Sequence, residues 1–488
     1  MGPSSIRRRF PATLLATALL LLAACASASA ADSVYWANYT GGKISFASLA
    51  GGDGADLDTT GANAENANGL AIDSKAGKVY WIVPGPGAGT IYYANLSGGG
   101  GGEISTAGAP AGFPIGLAVD PAGGRAYWTS GSNISYANLD GSGGGALDTT
   151  GATVEGPQAV AVDPATGRIY WANSGSGVSF ASLAGGGGGD VATTGATVDN
   201  PSGVAVDSAA GIVYWSNYNG DAISYARLGG TGGGDVNTAG ATVDGPFGIA
   251  LDPAAGRIYW ANEVGDSIAY ANLDGSGGAD LDTGAANLDA PAFPALLKAP
   301  SPVAAPKAIG GPKPGATLSC EPAGWAPDVF EAFLYRGPTS TSVQWLEDGQ
   351  PIAGATGGSL VASSVGSYSC QSTAVNQAGS TAQTSAAVPV FRVGKAKVNR
   401  KKGTALLPVK VPGAGTVTLA GRKLVRQKRA RSASSTGVVK LLVKAKGKAK
   451  KALGAKGKLR VKATVTFTPA GGSAASQKTA PLLKMQSR

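Results

Sequence analysis

The sequence predicts an all-β chain, a six-bladed β-propeller followed by C-terminal β-sandwich domains. Three observations carry that expectation. The pair Tyr-Trp occurs six times, at Tyr35-Trp36, Tyr80-Trp81, Tyr127-Trp128, Tyr170-Trp171, Tyr214-Trp215 and Tyr259-Trp260. Successive tyrosines lie 45, 47, 43, 44 and 45 residues apart, and a period of about 40–50 residues marks a propeller, a solenoid or an array. Each of Asp73, Asp120, Asp163, Asp207 and Asp252 stands seven residues before a tyrosine, so one turn of the repeat keeps a constant length. Within a period the apolar runs are short and the glycines frequent, which opposes helix.

Residues 1–31 read as a signal peptide. Arg7-Arg8-Arg9 precedes an apolar run from Phe10 to Ala24 and then a small-residue stretch, the order of an export signal rather than of a membrane anchor. No later segment is apolar for long enough to predict a transmembrane span. Cys25 ends Leu22-Ala23-Ala24-Cys25, which resembles a bacterial lipobox and would make Cys25 the lipidated first residue. The other reading discards Cys25 by cleavage after Ala30 or Ala31. Both readings place the mature chain outside the cytoplasm, secreted or at the cell surface.

Residues 32–300 hold the repeats. In one period, Ala159 to Asp163 is a first strand, Pro164 to Gly167 a tight turn, Arg168 to Asn173 a second strand and Gly177 to Leu183 a third. Gly185 to Gly189 then breaks the chain, and Asp190 to Thr193 supplies a short outer strand. Four strands and three turns make one blade. The first Tyr-Trp pair lacks a preceding strand, whereas Ala290 to Leu297 follows the last period and echoes Gly245 to Asp252. Ring closure is therefore expected, with the C-terminal strand entering the blade that begins at Val34. Closure removes open sheet edges.

The Tyr-Trp pairs, the Leu-Ala-Val-Asp-Pro-like strand before them and the Ile-x-x-x-x-Leu strand after them (Ile134 to Leu139) resemble the class B, or YWTD, repeats of the low-density-lipoprotein receptor family. That resemblance implies an extracellular six-bladed propeller. The family's Thr-Asp after Tyr-Trp reads Ala-Asn at 37–38, 172–173 and 261–262, Ser-Asn at 216–217, Thr-Ser at 129–130 and Ile-Val at 82–83. Recognition through those aspartates is not carried over.

Residues 301–390 form a second unit after Pro300, Pro302 and Pro306. Cys320 and Cys370 enclose Trp345, and Tyr368 stands two residues before Cys370. This resembles an immunoglobulin-like domain, which implies a Cys320–Cys370 disulfide against a buried Trp345. The Cys-to-Trp interval is long, with an insertion around Trp325 to Pro338. Residues 391–488 differ again: they hold 26 Lys and Arg and no acidic residue, against 8 basic and 25 acidic residues in 32–300. Gly415 to Leu419, Val438 to Val443 and Lys458 to Phe467 read as strands, joined across Lys444 to Lys458 by a charged connection, which predicts a small basic β-rich domain.

The chain has no histidine, which removes the usual general base and His-based metal sites. No catalytic, cofactor or metal residue is assigned. The repeated aspartates are expected to be structural, bonding turn or neighbouring-blade backbone, because a catalytic site needs unlike residues in different blades. The Gly-rich loops read as blade connections. Tyr39, Tyr218 and Glu263 follow their Tyr-Trp pairs at similar positions and are candidates to line one face. The expectation is a non-catalytic exported or cell-surface binding or scaffold protein, with an unknown protein or glycan as partner on the propeller face. The alternative is a metal-dependent hydrolase or lactonase on the same fold. The basic end suits an anionic cell-surface polymer or a merely solvated surface. It suits nucleic acid less, since Phe391 and Phe467 are its only aromatics.

Overall fold

The computed structural model describes residues 32–230, 232–425 and 430–486. Cys25 and the signal segment lie outside the described residues. The described chain is almost wholly β, arranged as repeated four-stranded antiparallel sheets followed by sandwich-like sheets. Among the described residues no helix is long and apolar enough to cross a membrane.

Six sheets, I to VI, occupy the repeat region. Sheet IV is representative: Pro157–Asp163, Arg168–Asn173, Gly177–Ser182 and Gly189–Asp190 pair in that order. Alternation builds it. Tyr170 faces Phe180 across the second and third strands, with ring centroids 6.1 Å apart, while the neighbouring Trp171 is fully buried. The same cross-strand aromatic pair recurs as Tyr35–Phe46, Tyr80–Tyr93, Tyr127–Tyr136, Tyr214–Tyr225 and Tyr259–Tyr270. Such pairs are a main unit of sheet stability.

Sheet I is assembled from both ends of the repeat region. Pro291–Leu297 pairs with Ser33–Asn38, in the register Ser33 to Leu297, Val34 to Leu296 and Tyr35 to Ala295. The first strands of the six sheets are thus Pro291–Leu297, Asn68–Asp73, Pro114–Asp120, Pro157–Asp163, Pro201–Asp207 and Pro246–Asp252. Each packs against the first strands of the sheets before and after it, and Pro291–Leu297 packs against both Pro246–Asp252 and Asn68–Asp73. All six shift register once against their second strands, as a bulge does when it bends a strand. Backbones touch near these bends. A Cβ on Gly116 would lie 2.6 Å from the Ala159 Cα. Gly248, at φ +87°, would bring a Cβ within 2.6 Å of the Phe293 Cα, so glycine meets both the conformation and the close approach.

The second unit has two sheets. One holds Lys307–Gly310, Ala316–Glu321 and Ser359–Ala362; the other is built on Ser340–Glu347, Gly366–Asn376 and Gly379–Thr384. Cys320 and Cys370 are bonded across them, with Cα atoms 6.1 Å apart, and Trp345 is fully buried in the same cluster. The insertion 325–338 leaves this unit. Val329 and Phe330 pack against the core of the repeat region, Ala332 to Tyr335 are buried in it, and Leu334–Tyr335 pairs in parallel with Leu296 and Leu297 at the edge of sheet I.

The third unit packs Thr404–Val411 and Gly437–Lys444 of one sheet over Gly415–Ala420 and Ala463–Pro469 of another. Phe391 and Phe467 meet in its core at 6.1 Å. Two details differ from the sequence reading. The charged connection contains an α-helix, Gly447–Lys456: Ala and Lys favour helix, and Ala449 and Leu453, one turn apart, are its buried residues. The last alternating run is two strands. Lys458–Arg460 pairs with Leu482–Lys484, and Ala463–Pro469 pairs with Gly415–Ala420.

Candidate functional site

The six repeated tryptophans are fully buried, and five share one bond. The Nε1 of Trp81, Trp171, Trp215 and Trp260 donates to the carbonyl of Asn63, Thr153, Thr197 and Thr242, in each case 18 residues earlier. Trp36 donates at 2.9 Å to Asn287, 251 residues later, which is the same tie made across the two ends of the repeat region. The asparagine after the pair adds a second tie. Asn173, Asn217 and Asn262 accept from the N–H of Glu155, Asp199 and Asp244, and Asn38 accepts from Asp289. Here asparagine serves the backbone inside the protein.

The acidic residues after the Gly-rich loops belong to the same network. Asp190 accepts from Ser179, from the Thr153 N–H and from the Thr153 hydroxyl. Asp235 repeats this with Ser224 and Thr197. Burial alone would raise these carboxyls, but the bonds outweigh it and hold both below the ordinary aspartate range. In sheet III, Ser130 and Ala146 occupy the Asn and Asp places, and Trp128 Nε1, Ser130 Oγ and Ser135 Oγ are buried without a hydrogen-bond partner among the described residues.

The repeated aspartates close turns. Asp73, Asp120, Asp163, Asp207 and Asp252 accept from the N–H of Ala76, Gly123, Thr166, Ala210 and Ala255, at 2.9–3.1 Å. The free oxygens differ from sheet to sheet. Asp163 accepts from Thr166 and Ser208, while Asp252, almost wholly buried, meets Lys298 at 2.5 Å. Among the described residues no three His, Cys, Asp or Glu side chains are grouped to hold a metal ion.

These aspartates define one end of the repeat region, and that end is covered. The 3-10 turn Phe330–Ala332 packs against Pro114–Asp120, Pro157–Asp163, Pro201–Asp207 and Pro246–Asp252. Asp328 pins the segment: it accepts from Ser74, from Arg336 N–H and from Gly337 N–H. Tyr335 is buried, and its hydroxyl bonds the backbone of Ile72. Glu331 is only 8% exposed. Burial above all, with the carboxylates of Asp163 and Asp207, pushes it up to about 7 against the pull of its own backbone N–H. A cavity of about 620 Å³ remains between this segment and the turns at Pro164, Ser208 and Pro253. Sequence reasoning missed Glu331 and Tyr335; the signal was the long Cys-to-Trp interval.

The opposite end carries the candidate recognition residues. Tyr218 and Glu263 meet there, the Tyr218 hydroxyl bonding the Glu263 carboxylate, and burial raises both groups. Tyr218 continues into Phe247 at 5.8 Å and Phe247 into Phe293 at 5.1 Å, both edge to face. Val264, next to Glu263, and Phe113, whose carbonyl accepts the Gly131 N–H after the third Tyr-Trp pair, are more than half exposed. Tyr39 holds the corresponding place in sheet I, its N–H bonded to Ala290 as those of Tyr218 and Glu263 are to Asn200 and Gly245.

No protein-family model and no curated protein sequence matches the chain. Solved structures similar to it include a nidogen/laminin complex, at 18% identity and TM-score 0.45, covering 54% of this chain and 98% of that one. A TolB protein from Agrobacterium tumefaciens is similar at 10% identity and TM-score 0.36, over 51% and 88% of the two chains. Hydrazine synthase of Kuenenia stuttgartiensis is similar at 13% identity and TM-score 0.37, over 49% and 73%.

Proposed function

We propose that this chain is a non-catalytic, exported or cell-surface binding or scaffold protein. In this reading its six sheets close as a six-bladed propeller of the class B kind, followed by an immunoglobulin-like domain. The propeller presents the Tyr218 end to a protein or glycan. One observation carries the reading: the Asp end is occupied by the chain's own segment around Phe330–Ala332, while Tyr218, Phe247, Glu263 and Val264 stand at the other end. Closure is supported by the Trp36 and Asn38 ties to Asn287 and Asp289 and by the Ser33–Leu297 register. Export is supported by Arg7 to Ala31 and by the disulfide, a bond of oxidising compartments. Edge-to-face aromatics beside a carboxylate suit amphipathic ligands, since aromatic rings give rigid contact area. The basic domain is read as holding the protein to an anionic surface polymer.

The test is a screen of the full chain against extracellular glycans and surface proteins, repeated with Tyr218→Ala/Phe247→Ala. A ligand whose affinity falls at least about tenfold in the variant, at unchanged melting temperature, is the expected result. Turnover of an ester or lactone by the purified chain, lost on substitution at this end, would replace the binding reading with the hydrolase one.

A further inference from the structure

We propose that Glu331 is a proton switch for interdomain docking: protonated, it seats the segment around Phe330–Ala332 on the Asp end of the repeat region, and ionised, it loosens that segment and uncovers the end. The geometry comes first. Glu331 sits on a turn that is covalently part of the second unit, yet it is buried against the first. It lines one cavity with Asp207 and Ser208, on a turn packed against the strands that end in Asp163 and Asp207, and the Ser208 hydroxyl is spent on Asp163. The other two strands packed against this turn end in Asp120 and in Asp252, and Lys298 already engages Asp252. From its own segment Asp328 is held by Ser74 and two N–H groups, and the Arg336 Nε is bonded to the Pro327 carbonyl. The hydroxyls of Tyr170 and Tyr335 lie close enough to feel the charge of Glu331. Among the described residues no cation is paired with Glu331, so its negative charge meets like charge and little solvent.

The direction follows from proton linkage. Docked Glu331 titrates near 7, above its ordinary 4.5, so docking takes up a proton. The docked state is therefore favoured fully below about pH 4.5. That advantage is lost as pH rises to about 7 and is constant above it, a change on the order of 10²-fold in the docking equilibrium. The contacts that yield are local: Leu296 and Lys298 donate their N–H groups to the carbonyls of Phe333 and Tyr335.

Hydrogen–deuterium exchange on the full chain tests this, between pH 5 and 8.5, with each rate corrected for intrinsic exchange. The Leu296 and Lys298 amides should lose protection by at least about tenfold across that range, while amides inside sheet IV hold theirs. Glu331→Gln should flatten the profile. Asp207→Asn, which keeps Glu331, should move the loss to lower pH and serves if the first variant does not fold. Flat wild-type protection, or a Glu331→Gln profile that still falls, overturns the proposal.

Discussion

At the scale of single residues, the Tyr-Trp pair divides its labour. The tyrosine packs along its own sheet on a third-strand aromatic, and the tryptophan ties its sheet to the segment that leaves the preceding one. Trp171→Ala should therefore cost about 3–5 kcal/mol in a chemical melt, the penalty for emptying a buried aromatic site. Tryptophan-to-phenylalanine changes separate packing from hydrogen bonding. Trp171→Phe strips the Thr153 carbonyl of its donor, whereas Trp128→Phe removes an indole N–H that has no partner among the described residues. The first should cost about 1–2 kcal/mol more than the second. Lys298 is a further single point of failure, since its ammonium lies 2.5 Å from the buried Asp252 and 3.7 Å from Asp32. Lys298→Met should destabilise by about 3 kcal/mol, because a buried carboxylate loses its partner. Equal stability of Lys298→Met and wild type in urea would count against that assignment.

Elements show how the parts depend on one another. The strand Pro291–Leu297 has neighbours on both sides, Ser33–Asn38 and Leu334–Tyr335, so it joins the two ends of the repeat region and also receives the insertion of the second unit. Truncation before Pro291 should lower the melting temperature of the whole repeat region relative to a chain ending after Tyr335, since it exposes the edge of Ser33–Asn38 and the apolar cluster around Leu296. Equal melts would show that this strand contributes nothing to the stability of the repeat region. The Cys320–Cys370 bond acts elsewhere, between the sheets of the second unit. Replacing both cysteines with alanine should cost that unit about 2–4 kcal/mol, seen as a calorimetric transition that separates from that of the repeat region.

The whole molecule is divided by charge. Residues 32–300 carry 25 acidic and 8 basic side chains, and residues 391–488 carry 26 basic side chains and no acidic one. Within the basic domain no carboxylate is available to pair locally, so its field reaches solvent and is cut back only by salt. Retention of the full chain on an immobilised anionic polymer should fall steeply between about 0.05 and 0.5 M salt, as the Debye length shrinks from ~14 Å to ~4 Å. Retention that ignores salt would point to another kind of contact.

The repeat count, the strand order within a sheet and the Cys320–Cys370 pairing were legible in the chain because each rests on local periodicity or on a short motif. The acceptors of the tryptophan N–H groups were not legible, since they lie on the neighbouring sheet, but their constant 18-residue offset made them regular once the sheets were in place. The helix Gly447–Lys456 was hidden by its charge, because only Ala449 and Leu453 are its buried residues. The candidate site was legible in part. Tyr218 and Glu263 stood out by position, but the contacts of Tyr218 with Glu263 and with Phe247 join separate sheets. Glu331 carried no motif at all. Sequence by itself determined the all-β repeat, the sandwich cysteines and the separation of charge, all properties of local pattern and composition. Only the tertiary structure decided which end of the repeat region is covered, for the covering segment is an insertion in another unit. Its burial depends on an apolar edge and a set of aspartates that come together only when all the sheets are assembled.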